Sequence, residues 1–359
     1  MLKVGDELLY SRDMKPATSI PNFFVAAICL VAISGCGSDD PKKKRDVYLL
    51  GYSTPIDFVD SKPRQVSYWV NGEEFRIGNA TTTIYPSAMA IDGHDVYVGG
   101  VEYVGNSKGV ATYWKNGTAV KLSDGTKTEE IRGLTVVDGV VYAVGYETSV
   151  GDNTWKPKYW KNGSPVILPA KNFATIENVV VIGSDVHMIG FESSVDTVYA
   201  RYWKNDKLIQ IGEKTTYRFF ADIVVEGNDF FIAGYDDLGS AKPMTDMKVR
   251  WWKNGVEAGT VSGSLPTRMT VSGGDVYMAS QYACGYNKNN AYVEVKPFEI
   301  GKKFWSPSIA VSGSDVYLVT TSLGSDDILL GSYLLINGEA QAPFTGDDKK
   351  TALGVVIVK

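Results

Sequence analysis

Two carboxylates facing one another across a groove can cleave a glycosidic bond, one as acid and the other as base or nucleophile. In this chain the candidates for such a pair are Glu177 and Asp222. Asn178, Arg132 and Arg268 belong to the same candidate set, and their mixed polarity could instead hold a polar ligand. Trp155 and Trp305 supply aromatic planes of the kind that stack on sugar rings or partner side chains. Other chemistries find little material. With only 2 histidines, His94 and His187, a histidine-based zinc site or a Ser-His-Asp arrangement is not expected. Aspartate pairs at 236–237, 326–327 and 347–348 could take Ca²⁺, but none has the ligand spacing of a calcium loop, so no cofactor is expected. A net charge of −5 argues against nucleic acid as a partner.

These residues need a scaffold, and the chain repeats itself. "YWKNG" stands at Tyr113–Gly117 and again at Tyr159–Gly163, with near-copies "YWVNG", "YWKND" and "WWKNG" beginning at Tyr68, Tyr202 and Trp251. The turn asparagines Asn71, Asn116, Asn162, Asn205 and Asn254 recur at roughly 45 residues, and Asn337 follows after a further two periods. A second marker, "DVY", begins at Asp46, Asp95, Asp275 and Asp315, with variants ending at Tyr142, His187 and Phe231. Each period holds four runs rich in Val, Ile, Tyr and Trp, bounded by Gly, Asn and Asp, which are strand signals. Four short strands in a repeat of about 40–50 residues predict a propeller blade. Neighbouring strand residues point to opposite faces. Tyr113 and Trp114 can therefore both be buried between blades, while Asn-Gly makes a type I′ turn.

The body opens at "RDVYLLG", which reads as a second strand, and finishes at "TALGVVIVK", which reads as a first. Pairing the C-terminal strand with the N-terminal three predicts a closed, all-β, seven-bladed propeller over 46–359, which also removes the sheet edge. Short turns then share one face and long segments share the other. These include "YSTPIDFVDSKPRQ", "YETSVGDNTWKPK", "YDDLGSAKPMTDMK" and "QYACGYNKNNAY". Function is expected on that loop face, because loops vary while repeats hold the scaffold. Counting back from the first turn of each repeat aligns Ala88, Leu134, Asn178, Asp222, Arg268 and Ser308, with Glu177 and Arg132 just before their neighbours. Arg132, Glu177, Asn178, Asp222 and Arg268 should thus share one arc of the channel mouth. Trp155 falls in a loop between second and third strands, and Trp305 in a loop leading to the channel.

The N-terminus reads as an address. "NFFVAAICLVAISGC" is too short to span a bilayer as a helix and suits a signal peptide. Its end, "ISGC" at Ile33–Cys36, resembles the lipobox of bacterial lipoproteins. That resemblance implies cleavage of 1–35 and lipidation of Cys36. Residues 1–13 carry acidic groups that suit a signal poorly, so Met14 is an alternative start. Residues 36–45 form a linker, and its acidic start resembles surface-export signals of some Gram-negative lipoproteins. "KKKR" within it could touch anionic headgroups. Cys29 leaves with the signal, so Cys284 remains alone in the body, where it cannot form an internal disulfide. Nearly all of 46–359 is similar to bacterial propeller lipoproteins built on Tyr-Trp-Lys-Asn-Gly hairpins.

The expected protein is a monomer anchored by lipid in the bacterial envelope, at the outer membrane or its surface. Its loop face would bind a glycan or protein ligand through Trp305, Trp155, Arg268 and Asp222. Two alternatives remain at this point: a polysaccharide hydrolase or lyase using Glu177 and Asp222, and a scaffold subunit of an envelope complex.

Overall fold

A computed structural model describes residues 45–52, 65–79, 82–104, 108–148, 154–194, 198–211, 218–236, 248–262, 266–280, 285–295, 303–323, 329–341 and 351–358. Cys36, Cys284 and the aspartate pairs at 326–327 and 347–348 lie outside them. The described residues form strands and turns only, grouped in seven four-stranded antiparallel sheets. Blade one joins β28 (Thr351–Val358) to β1 (Asp46–Tyr52), β2 (Val66–Val70) and β3 (Glu73–Ile77). The innermost strands of blades two to seven are β4 (Thr82–Asp92), β8 (Thr128–Val137), β12 (Phe173–Ile182), β16 (Arg218–Glu226), β20 (Pro266–Ser272) and β24 (Lys303–Ser312). Each innermost strand contacts the next around the ring, and β28 meets both β24 and β4. The pairing of β1 with β28 runs from Asp46↔Val358 to Tyr52↔Thr351.

The repeated aromatics hold the blades together. Trp114, Trp160, Trp203 and Trp252 are fully buried, and each packs on the blade before its own. Trp160, for example, lies in one cluster with Ala88, Ala90, Tyr97 and Ala111 of blade two. The tyrosine beside each tryptophan faces the other way: Tyr113 packs with blade three and Tyr159 with blade four. No polar alternation is needed on these strands, because both faces are covered.

The rest of the motif staples two strands. Asn71, Asn116, Asn162, Asn254 and Asn337 turn with φ between 46° and 52°, and the glycines after them with φ between 81° and 89°, which is the type I′ pair. Each asparagine Oδ1 accepts the N–H of the residue after the "DVY" aspartate position, as Val96 N–H to Asn116 at 2.8 Å. Its Nδ2 donates to that aspartate where there is one, as Asn116 to Asp95 at 2.7 Å. The motif lysine reaches the same carboxylate, as Lys115 to Asp95 and Lys253 to Asp229, both at 2.7 Å. Hydrogen bonds from lysine and asparagine hold Asp95, Asp185, Asp229 and Asp275 below the usual carboxylate range. "DVY" and "YWKNG" are thus two halves of one hairpin lock.

Blade six disguises the pattern. The segment "QYACGYNKNNAY", expected as a loop, is largely a hairpin of β22 (Gly285–Lys288) and β23 (Ala291–Glu294). Asn287 stands at the tryptophan position and is buried there, so the apolar signal is missing. Asn289 still takes the Val276 N–H at 2.9 Å and donates to Asp275 at 2.9 Å.

In blade four the aromatic of "DVY" is His187, buried with Nδ1 2.7 Å from the Tyr202 hydroxyl. Burial lowers its pKa from the ordinary 6.5, and the nearby Lys204 charge adds to this. A histidine depressed in the folded state contributes stability that is present above the unfolded value and lost as pH falls through the folded one. Thermal melts between pH 7 and 5 should therefore show wild type losing stability on the acid side. His187→Tyr, which restores the repeat, should flatten that slope. Equal slopes in both proteins would remove His187 as the source.

Candidate functional site at the loop face

Every innermost strand is interrupted at the same height. The pairing register skips Ser87 in β4, Arg132 in β8, Glu177 in β12, Ala221 in β16 and Leu353 in β28. It skips Thr267 and Arg268 in β20, and Ser306 and Pro307 in β24. A bulge bends its strand and re-aims a side chain. Four of these bulges are matched by a glycine in the second strand of the blade. A Cβ on Gly100, Gly145, Gly190 or Gly234 would collide with the backbone carbonyl oxygen of Tyr85, Glu130, Thr175 or Phe219 respectively.

The bulges set the alignment of the site and correct one member of it. The turn after β8 is Asp138-Gly139, with glycine in second place, whereas glycine comes first in the turns after β4, β12 and β16. The residue matching Asn178 and Asp222 in blade three is therefore Gly133, not Leu134, since Gly133 follows the skipped Arg132 as Asn178 follows Glu177.

The candidate residues link consecutive blades. Ser87 Oγ donates to the Ile131 carbonyl of blade three at 2.5 Å. Arg132 donates from Nε and Nη2 to Glu177 Oε2 at 3.2 and 3.1 Å, with both side chains about one-fifth exposed (21% and 22%). Asn178 Nδ2 donates to Asp222 Oδ1 at 2.6 Å, and Asp222 Oδ2 accepts the Met269 N–H of blade six at 2.8 Å. Asp222 Oδ1 also takes the Ile223 N–H at 2.9 Å, and Arg268 Nη1 reaches the Ala221 carbonyl at 3.4 Å. Burial pushes the Asp222 carboxyl above its usual range, opposed by the Arg268 charge and these hydrogen bonds.

This geometry revises the sequence-based roles. Asn178, Asp222 and Arg268 are buried rather than presented to solvent. Glu177 is held by Arg132, and Asp222 is buried and held by three donors, so Asp222 does not line an open groove. Trp155 is not in a loop: it begins β10 (Trp155–Lys161), paired with Thr148. Its ring lies between Tyr146 at 4.1 Å and Phe173 at 4.0 Å, so both faces are covered by protein. Trp305 likewise lies in β24, opposite Thr321, and its side chain is outside the described residues. Of the aspartate pairs, Asp236 is described and binds Arg250 Nε at 2.7 Å. Among the described residues, no group of three or more His, Cys, Asp or Glu is placed to hold a metal ion.

A second set of charged residues was not singled out from sequence. Near the loop end of the second strand, Glu147, Glu192 and Asp236 occupy one repeat position, and Lys158, Arg201 and Arg250 occupy one position in the third. Each pair meets diagonally across the strands, at 3.0, 2.9 and 2.7 Å. In blade three a second carboxylate joins, with Lys158 Nζ 2.6 Å from Glu129 Oε2, and Lys127 Nζ 2.9 Å from Glu147 Oε1. Burial pulls the Glu147 pKa up, and hydrogen bonds from Lys127 and Lys158 reverse this, leaving it below the usual range. These blade-three groups, residues 121–124 and Thr126 line an open cleft of about 470 Å³. The signal was available as a period in the acidic residues, but because they follow the repeat they read as scaffold.

The fold defines a seven-bladed propeller of four-stranded blades. No protein-family description matches the chain, and no curated protein does either. Among solved structures it is similar to the β-propeller domain of the Trilobed protease from Pyrococcus furiosus, at 12% identity over 86% of this chain and 94% of that one, with a TM-score of 0.49. It is also similar to the Pyrococcus horikoshii acylaminoacyl peptidase, at 14% identity and a TM-score of 0.49. That match covers 84% of this chain but only 51% of the peptidase, so this chain spans about half of its length. The polysaccharide lyase Uly1 matches at 10% identity over 82% and 88% of the two chains, with a TM-score of 0.45. At these identities the likeness concerns the fold alone.

Proposed function

We propose that this chain is a lipid-anchored protein of the bacterial envelope that binds a glycan or protein ligand on the propeller's loop face without cleaving it. The observation that carries the reading is the state of Asp222. It is 1% exposed and hydrogen-bonded to Asn178, Ile223 and Met269, which suits a link between blades better than acid-base chemistry. The anchor rests on "ISGC" and Cys36, and surface display on the acidic residues that follow.

The test uses the full chain, solubilised in detergent and offered a polysaccharide panel, with both retention and new reducing ends recorded. Retention without cleavage is expected. Cleavage abolished by Glu177→Gln would overturn the binding reading in favour of a hydrolase. For the anchor, Cys36→Ser should abolish incorporation of labelled palmitate; incorporation that persists in the variant would exclude lipidation at this residue.

A further inference from the structure

At the loop end of blade three, buried charged side chains line an open cleft. It is bounded by the end of β7 (Thr118–Lys121), by the connection leading into β8 and by the loop ends of β8, β9 (Val140–Thr148) and β10. Its volume of about 470 Å³ falls in the range of small-molecule sites, roughly 300–1,000 Å³.

At its base stand Glu129 and Lys158, 6% and 7% exposed. Lys158 donates to Glu129 Oε2 and Glu147 Oε2, and its Nζ also stands 5.3 Å from the centre of the Trp160 ring. Glu129 Oε1 has no donor among the described residues. A side chain taken this far out of water normally has its polar atoms matched by partners. Here the second Glu129 oxygen remains without a donor, beside a Lys158 ammonium 2.6 Å from the first oxygen and lining the same cleft.

Comparison with blade four shows what fills the corresponding position there. Glu192 stands where Glu147 does, and its Oε1 takes the N–H of Lys171 at 3.2 Å, the N–H of Asn172 at 3.1 Å and the Asn172 side-chain amide at 3.1 Å. The loop there closes onto the carboxylate through its backbone. In blade three, Glu147 Oε1 is met by the Lys127 side chain instead, and the space beside it is the cleft.

We propose that this cleft binds a neutral sugar ring. The inference rests on the binding reading above and gives it a site. Three lysines (Lys121, Lys127, Lys158) and three acids (Asp124, Glu129, Glu147) line the cleft, so its formal charge cancels and favours neither anion nor cation. An adjacent carboxylate oxygen and ammonium N–H match neighbouring hydroxyls, one donating to Glu129 and the other accepting from Lys158. Leu122 supplies an apolar wall for the C–H face of the ring.

The experiment is calorimetric titration of the detergent-solubilised full chain with xylotriose, cellotriose, mannotriose and maltotriose. At least one should bind, and Glu129→Gln should weaken it by tenfold or more. Because Glu129→Gln disturbs a buried ion pair, Thr126→Trp serves as an independent variant. Thr126 is exposed on the cleft wall, where its hydroxyl donates to Asp124 at 2.6 Å, and the added ring obstructs the space while the Glu129–Lys158 pair itself stays unsubstituted. His94→Ala, on an exposed turn at the opposite face, should leave binding unchanged. Binding that survives both cleft variants overturns this assignment and leaves the binding reading to another part of the loop face. Failure to bind any trisaccharide also overturns it. The separate polysaccharide retention test then decides whether the glycan form of the wider reading falls too.

Discussion

Asp222→Ala lowers the free energy of unfolding by about 3–5 kcal/mol, the range for breaking a buried charged hydrogen-bonded group from one side. The alanine leaves three donors without an acceptor: the Asn178 amide in blade four, the Ile223 N–H in blade five and the Met269 N–H in blade six. All three donors belong to buried residues, with Asn178 and Met269 1% exposed and Ile223 0%. Asp222→Asn should lose less, since its one remaining oxygen still accepts while its new amide faces donors. Urea titration reads the difference as a lowered midpoint at constant slope. A loss under about 1 kcal/mol for the alanine variant would reject the inter-blade link and return Asp222 to the pool of candidate ligand contacts.

Trp160→Ala should be of similar size, about 3–5 kcal/mol, the usual loss for a buried tryptophan. The indole is 1% exposed and fills the space between blades two and three, against Ala88, Ala90 and Ala111. Those alanines are already small and cannot move in to fill the cavity. Trp160 Nε1 has no hydrogen-bond partner, so Trp160→Phe should recover most of the loss, because it keeps the ring and removes an unsatisfied donor. Denaturant midpoints for the pair check this. A phenylalanine variant as unstable as the alanine one would show that shape, not apolar volume, dominates the contact.

The propeller was legible because its physics is written several times over. Any one "YWKNG" is an ambiguous strand and turn, but repetition at a steady period leaves few architectures. The site was legible only in outline. Arg132 with Glu177, and Asn178 with Asp222, do meet at neighbouring blades, as counting along the repeat suggested. Counting could not reveal the bulges, which insert a residue without any change in composition, and so Leu134 was aligned where Gly133 belongs. Trp155 looked like a loop aromatic because its neighbours in "GDNTWKPK" are turn formers, yet the stack with Tyr146 and Phe173 extends the strand to include it. Glu147 and Lys158 were passed over for the opposite reason. They obey the repeat, and what sets them apart is the loop that does not close over them.

The glycine opposite four of the bulges bears on how such blades can be copied and altered. Gly145 is tolerated only because the chain beside it swings Glu130's carbonyl into the volume of a side chain, and the swing is tolerated only because Gly145 has none. Neither strand can be edited alone. In blade seven threonine, Thr320, stands at the corresponding place, and the facing strand leaves two residues unpaired instead of one. The unit of inheritance here is the pair of strands. A chimera that grafts an inner strand from one blade onto the second strand of another should fail at this height, whereas one that moves both together should keep its register.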